Sequence, residues 1–272
     1  MLERTSSVPH GSARLAERRR ARRRRGIIAF AILLLLLLVA AMYGLRQSSV
    51  RISHVEVYGG DASLADYARN EMQGNYMGII PRDSVFFFPA SSIRADILAA
   101  HSDIAAVSIS RTGLTSIAIK MNERVTIARW CGLSPSGEGV YEYCYLFDAS
   151  GLIFAAAAST TQTINNFRVY ASLEGDTLEP LLATIAHAEK LPAAFDFARQ
   201  LDTLGSSVTQ VVLRGDEVDD YLVSGTRVTY VLGHENNAFT ALVSARENMN
   251  LADGSLNYVD LRFDGKVYLK HK

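Results

Sequence analysis

The sequence predicts an α+β protein with a single N-terminal transmembrane helix, then a β-α-α-β-β domain, then a second mixed β domain with packed helices. Three observations predict it. An apolar run at 26–45 follows a cluster of arginines. Between 50 and 124 the apolar periodicity switches in the order strand, helix, helix, strand, strand. From 125 to 272 short alternating runs dominate, interrupted by stretches of helical spacing.

Residues 1–25 form an arginine-rich tail, with arginines at 4, 14, 18–20 and 22–25 against Glu3 and Glu17, a net of +7. The whole chain is neutral, so the remainder carries −7. Residues 26–45, GIIAFAILLLLLLVAAMYGL, contain no charged residue, Asn, Gln or Pro. At the rise of an α-helix such a run is about 30 Å long, the thickness of the hydrocarbon core, and it satisfies its own backbone hydrogen bonds as lipid demands. No second run of this kind follows. The cations before the run outnumber Arg46 and Arg51 after it, which orients the tail inside the cell and 46–272 outside. A cleaved signal peptide is the competing reading, because Val39 and Ala41 resemble the small residues before a cleavage site; the run exceeds the ~7–15 residues usual for such a segment. The arginines suffice as a topology signal, and no aromatic residues interleave with them to stack on bases, so no nucleic-acid partner is expected.

The 227 residues beyond position 45 suffice for two small domains, expected at 50–124 and 125–272. The first opens on VRISHVEVYGG at 50–60, where Val55 and Val57 alternate with polar neighbours and two glycines end the run, as in a half-buried strand. In SLADYARNEM, Leu64, Tyr67, Ala68 and Met72 share one helical face, with Asp61 or Ser63 as N-cap. Gly74, Gly78 and Pro81 then mark turns, the aromatic run 86–88 follows, and a second short helix from Ser91 or Ser92 aligns Ile93, Ile97 and Ala100. Two strands, 104–110 and 115–121, close the unit; Ile117, Ile119 and Met121 alternate with Ser116, Ala118 and Lys120, and Arg111-Thr112-Gly113 forms the turn between them. Two helices on one face of this sheet would bury both apolar stripes.

In the second domain, strands are expected near 125–131, 142–147 and 152–157, with Asp148-Ala149-Ser150-Gly151 as a turn. A helical pair follows, one helix carrying Leu178, Leu181, Leu182 and Ile185, the other Phe197, Leu201 and Leu204 with Gly205 as its stop. Strands resume at 208–214, 220–224 and 227–232, with Val228, Tyr230 and Leu232 facing one way, and another amphipathic helix carries Phe239, Leu242, Val243 and Met249. The chain then reads SLNYVDLRF, an Asp264-Gly265 turn and KVYLK, a strong hairpin signal. The two cysteines, Cys131 and Cys144, fall opposite each other if 126–131 and 141–147 form a hairpin centred between Gly137 and Glu138, at a spacing that a disulfide can bridge; two unpaired, half-buried thiols are the alternative.

No catalytic, cofactor or metal site is expected. The histidines at 10, 54, 101, 187, 234 and 271 are scattered, without H-E-x-x-H or C-x-x-C, and neither a phosphate loop nor a dinucleotide fingerprint occurs. Residues 132–137, GLSPSG, miss the nucleophile-elbow spacing by one position and read as a hairpin tip. Asp216, Glu217, Asp219 and Asp220 lack the spacing of a calcium loop and read as a solvated turn. Trp130, the one tryptophan, reads as core at the joint between the two outer domains.

Several motifs, in order and spacing, carry a resemblance. They are Ile52-x-x-Val55-x-Val57-x-Gly59, the N-E-R at 122–124 followed by Ala128-Arg129-Trp130, Leu146-x-Asp148-x-x-Gly151-x-x-Phe154, GTRVTYVLG at 225–233, and Tyr258-Val259-Asp260-Leu261-Arg262-Phe263. With them the chain resembles the FtsQ/DivIB family of bacterial division proteins along its whole length. It departs from the family at Val125 and at Thr112-Gly113, where prolines are usual. The resemblance implies a POTRA domain at 50–124, an FtsQ-type β domain at 125–272, and a non-enzymatic scaffold in the cell membrane at the division septum. The implied partners are FtsB/DivIC-like and FtsL-like proteins, with no small-molecule substrate.

A physical rationale accompanies that expectation. A final strand with no successor leaves backbone N–H and C=O groups open to an incoming chain. Phe263, Gly265, Lys266, Val267, Tyr268 and Leu269 are therefore the expected partner-binding residues, with about half of the side chains finishing the core because alternate positions face inward. The rival readings are a generic POTRA-bearing secretion or adhesion component and a membrane-tethered cell-wall hydrolase.

Overall fold

The computed structural model describes residues 12–135, 140–158, 161–175 and 179–272. The chain divides into two compact units, Met1–Ile97 with Val107–Met121, and Leu98–Ala106 with Asn122–Lys272.

The first unit begins with α1, Ser12–Leu45, one continuous helix that carries the arginine cluster directly into the apolar run. Its portion Arg22–Leu45 is long and apolar enough to cross a membrane. A short 3-10 turn, Ser48–Val50, leads into β1, His54–Tyr58, and then α2, Ser63–Glu71. A small hairpin follows, β2 at Asn75–Tyr76 and β3 at Ile80–Pro81, before α3 at Ala90–Ala100, β4 at Ile104–Arg111 and β5 at Ser116–Glu123. The sheet order is β1-β5-β4. β1 is parallel to β5, placing Val55 opposite Ile117 and Val57 opposite Ile119, and a parallel pair requires the long helical connection that α2 and α3 supply. Leu64 and Ala68 from α2 with Met72 at its C-cap, Ile93 and Ile97 from α3, and Ile117, Ile119 and Met121 from β5 are buried. Gly59 ends β1 with φ +77, and a Cβ there would stand 2.5 Å from the Met121 carbonyl oxygen, so that position admits glycine alone.

The second unit is built on one nine-stranded mixed sheet. Its strands are β6, Ala128–Gly132; β7, Val140–Phe147; β8, Ile153–Ala156; β9, Arg168–Tyr170; β10, Val208–Arg214; β11, Glu217–Leu222; β12, Arg227–Val231; β13, Leu256–Asp260; and β14, Tyr268–His271. They lie in the order β14-β13-β12-β11-β10-β9-β6-β7-β8. β9 is parallel to β10 and β12 to β13, and the crossovers between these pairs carry the two helices, α4 at Leu191–Asp202 and α5 at Glu235–Ala245. One sheet face supplies Val211, Val218, Val228, Tyr230 and Val259 to a core completed by Phe195, Phe197, Leu201, Ala238 and Leu242 from the helices. The Phe197 and Tyr230 rings meet at 4.3 Å between centroids. Trp130 lies inside this same core, fully buried, its indole N–H donating to the Ala171 carbonyl at 2.9 Å.

Three sequence expectations are corrected. No helix forms over the described part of the Leu178, Leu181, Leu182, Ile185 stretch; Leu178 itself lies outside the described residues. Ala183 and Ile185 instead run as an extended strap, the Ala183 carbonyl accepting from Ile153 N–H and the Ile185 N–H donating to the Gly151 carbonyl, both at 2.9 Å. Pro180 and the left-handed Leu182 (φ +66) break the helical path, so tertiary pairing overrides the spacing. The acidic group is not a solvated turn: Glu217, Asp219 and Asp220 belong to β11, and both aspartates are buried. β9, only three residues long, was absent from the expected strands. The hairpin tip expected at Gly137 and Glu138 lies outside the described residues.

Candidate functional site

The hairpin formed by β13 and β14 borders the nine-stranded sheet. β13 is hydrogen-bonded on both sides, in parallel to β12 and antiparallel to β14, whereas among the described residues β14 is paired with β13 alone. Its outer backbone groups therefore form an open ladder. Register decides what the side chains do. Leu269 stands opposite the buried Val259 and packs against the core with Val267. Tyr268 opposite Asp260 and Lys270 opposite Tyr258 fall on the other, polar face.

Of the six residues expected to bind a partner, Phe263 (52% exposed), Tyr268 (48%), Gly265 and Lys266 are presented to solvent, and Val267 and Leu269 are half-buried. The turn is preorganised. Gly265 takes φ +67, and the Lys266 N–H donates to the Phe263 carbonyl at 3.0 Å. The Phe263 and Tyr268 rings meet edge to face at 5.3 Å between centroids, making one aromatic knob across the base of the turn.

Arg262 anchors this hairpin to its neighbours. Its guanidinium donates to both carboxylate oxygens of Asp260, at 3.0 and 2.7 Å, and to Glu217 on β11 at 2.6 Å, and it stands 5.9 Å from the Phe263 ring centroid. The hydrogen bonds from Arg262 hold the Asp260 carboxyl below the usual carboxylate range, against the opposing effect of burial. The same face continues through Asp219, which pairs with Arg214 at 2.6 Å and accepts from Thr229.

A groove of about 590 Å³ runs beside the turn, between Asp264, Gly265 and Val267 and the exposed face of α5, where Asn237, Thr240, Ala241 and Ser244 lie. These small and polar residues recur at helical spacing in N-x-x-T-A-x-x-S, a signal that sequence reading passed over. An open strand edge and a shallow groove floored by a small-residue helix face are suited to a strand and a helix arriving together.

Cys131 and Cys144 are joined, with an S–S distance of 2.04 Å, across the β6–β7 hairpin. The bridge sits on the sheet face away from the helices, packed with Tyr170, Val212 and Tyr221. A second depression, of about 280 Å³, opens beside α4 among Ile127, Phe147, Leu191 and Phe195; Arg199 at its rim is already paired with Asn165 at 2.7 Å and with Asp196. Among the described residues, no three His, Cys, Asp or Glu side chains converge as a metal-ligand set.

Comparison with protein-family models and with curated proteins finds no match for this chain.

Proposed function

We propose that this chain is a membrane-anchored scaffold of the bacterial division machinery, of the FtsQ/DivIB kind. In this reading α1 spans the cell membrane once with the arginine tail in the cytoplasm, and both folded units act outside it at the division septum by touching other proteins. The observation that carries the reading is the open edge at β14 beside the α5 groove. Backbone groups there supply affinity to an added strand, and Phe263, Tyr268 and Lys266 supply side-chain recognition. An FtsB/DivIC-like partner, with an FtsL-like companion, is the expected occupant.

Further support comes from the first unit, where β1, α2, α3, β4 and β5 follow in order with only the small β2–β3 hairpin between the helices and β5 central in the sheet; in this reading it serves as a POTRA-like recruitment domain. The motif residues Gly59, Asp148, Gly151 and Arg262 each have a structural task, as a family signature should. Two measurements test the function. A fluorescent fusion to the full chain should form midcell bands in dividing cells; a uniform rim would favour a secretion or adhesion component. Deleting 264–272 should abolish capture of the partner while leaving a cooperative thermal transition, and unchanged capture would refute the edge as the site.

A further inference from the structure

The first unit presents an apolar and aromatic surface where the chain leaves α1. Met77, at the tip of the β2–β3 hairpin, is 98% exposed, and Ile79, Phe86, Phe87 and Leu114 are exposed as well. Such a cluster on a folded unit marks something that covers it. Three observations say what.

The first is reach. Val50 lies five residues past the end of α1, and there the chain is fastened to the segment 83–85. The Val85 N–H donates to the Val50 carbonyl at 3.0 Å, the Ile52 N–H donates to the Asp83 carbonyl at 2.7 Å, and the Arg51 guanidinium meets the Asp83 carboxylate at 2.6 Å. Five extended residues span at most about 17 Å, so Phe86 and Phe87 cannot be carried far from the helix end. The second is direct approach. β3 comes within 8 Å of α1, Cα to Cα, and in the last turns of α1 it is Met42 and Leu45, three apart on one face, that are half-covered while the residues around them are exposed. The third is strand direction. β1 leads away from α1, and the Ser53 and His54 N–H groups both bond to the Thr115 carbonyl, which keeps the β4–β5 turn with Leu114 at the helix end of the unit. The start of α2, beyond Tyr58, is at the other end. Cations accompany the rings: Arg82 stands 5.5 Å from the Tyr76 centroid and Arg111 5.9 Å from that of Phe86. Aromatic residues interleaved with cations are the composition of a membrane–water interface.

We infer that Met77, Ile79, Phe86, Phe87 and Leu114 seat the first unit in the outer leaflet, at the boundary between lipid headgroups and acyl chains. The unit then lies against the bilayer and does not swing on a tether. This seating rests on the reading of α1 as a membrane span, because Leu45 marks the membrane surface only if the apolar run crosses it.

The test uses the full chain in phosphatidylcholine–phosphatidylglycerol vesicles, with one added cysteine at a time carrying an environment-sensitive fluorophore. The native cysteines are already joined to each other. Leu36→Cys samples the middle of the run, Met77→Cys the proposed contact, and Ala62→Cys the far end of the unit. The label at 36 should emit to the blue and be quenched by lipids spin-labelled deep in the chain. The label at 77 should also shift to the blue, but be quenched by lipids spin-labelled near the headgroup, at a depth of about 5–10 Å. The label at 62 should behave as in water. Quenching at 36 with water-like emission at 77 overturns the seating and leaves the anchor intact. Absence of quenching at 36 overturns the anchor, and the seating with it.

Discussion

At the scale of single residues, the motif Leu146-x-Asp148-x-x-Gly151-x-x-Phe154 becomes intelligible. One Asp148 oxygen accepts from the Ser150 N–H at 2.9 Å, the Ser150 hydroxyl at 2.6 Å and the Leu152 N–H at 3.3 Å, while the other pairs with Arg124. Burial would push its carboxyl up, but these donors outweigh burial and hold it below the ordinary range. Gly151 adopts φ +79, and a Cβ there would stand 2.6 Å from the Ala188 methyl. Gly151→Ala should therefore cost more than about 1 kcal/mol, from backbone strain and the clash together, readable by urea denaturation. Asp220 is the opposite case. It lies fully buried on the core face of β11 between Val218 and Leu222, and neither carboxylate oxygen nor the nearby Tyr230 hydroxyl has a hydrogen-bond partner among the described residues. Burial, with the Asp219 charge added, pushes its carboxyl well above the ordinary value. A raised carboxyl stays protonated in the fold while the unfolded chain ionises above about pH 4, so below that pH Asp220 costs only the burial of an unpartnered neutral carboxyl, and an ionisation-linked cost adds to it as pH rises toward its folded value. Asp220→Val, close in size and apolar, should stabilise the second unit by about 1–3 kcal/mol at neutral pH. The gain over the parent should shrink as the melt is repeated at falling pH, and a gain independent of pH would show that the carboxyl is ionised in the fold.

At the scale of elements, the β6–β7 hairpin is held by a bridge between residues 13 apart in sequence. Closing a loop of this size restricts the unfolded chain by about 3 kcal/mol in the entropic account, so Cys131→Ser with Cys144→Ser should lower stability by roughly that amount, and reductant should do the same to the parent. The hairpin was legible in the sequence because alternation set both strands, and equal offsets from Gly137 and Glu138 put the cysteines opposite each other. α4 was legible for a related reason: Phe197 and Leu201 are four apart, and one face of that helix is buried. The stretch through Leu181, Leu182 and Ile185 deceived because apolar spacing alone does not distinguish a helix from a strap, and here only Ala183 and Ile185 are buried while Leu181 and Leu182 stay exposed. The strap's true signals were local, Pro180 and a residue forced to positive φ, and its hydrogen bonds go to 151 and 153, a pairing that no window of sequence contains. β9 escaped notice for want of length. At the candidate site, the Asp264-Gly265 turn was legible, but the sequence did not decide which of Phe263, Val267, Tyr268 and Leu269 face outward; the structure exposes Phe263 and Tyr268. The α5 groove was not, because it exists only when a helix and a turn some twenty-five residues apart come together.

At the scale of the whole molecule, the charge distribution predicts which way the chain would face if α1 crosses a membrane. The first twenty-five residues carry +7 and all that follows carries −7, although the total is zero. If α1 spans the bilayer, the seven arginines at 18–20 and 22–25 dominate the balance of cations on its two sides; without them, Arg4 and Arg14 on one side face Arg46 and Arg51 on the other. Protease added to intact spheroplasts should therefore digest everything beyond the span in the parent and leave a short fragment of tail and helix. Replacing those seven arginines by glutamine should keep the chain in the membrane, since the apolar run is untouched, but should populate both orientations and leave a protected fraction of full length. Protease resistance of the parent, with full digestion after the membrane is opened by detergent, would place the folded units in the cytosol. An edge strand at β14 would then face cytosolic partners, and recognition at the cell surface would be excluded whatever the edge itself can bind.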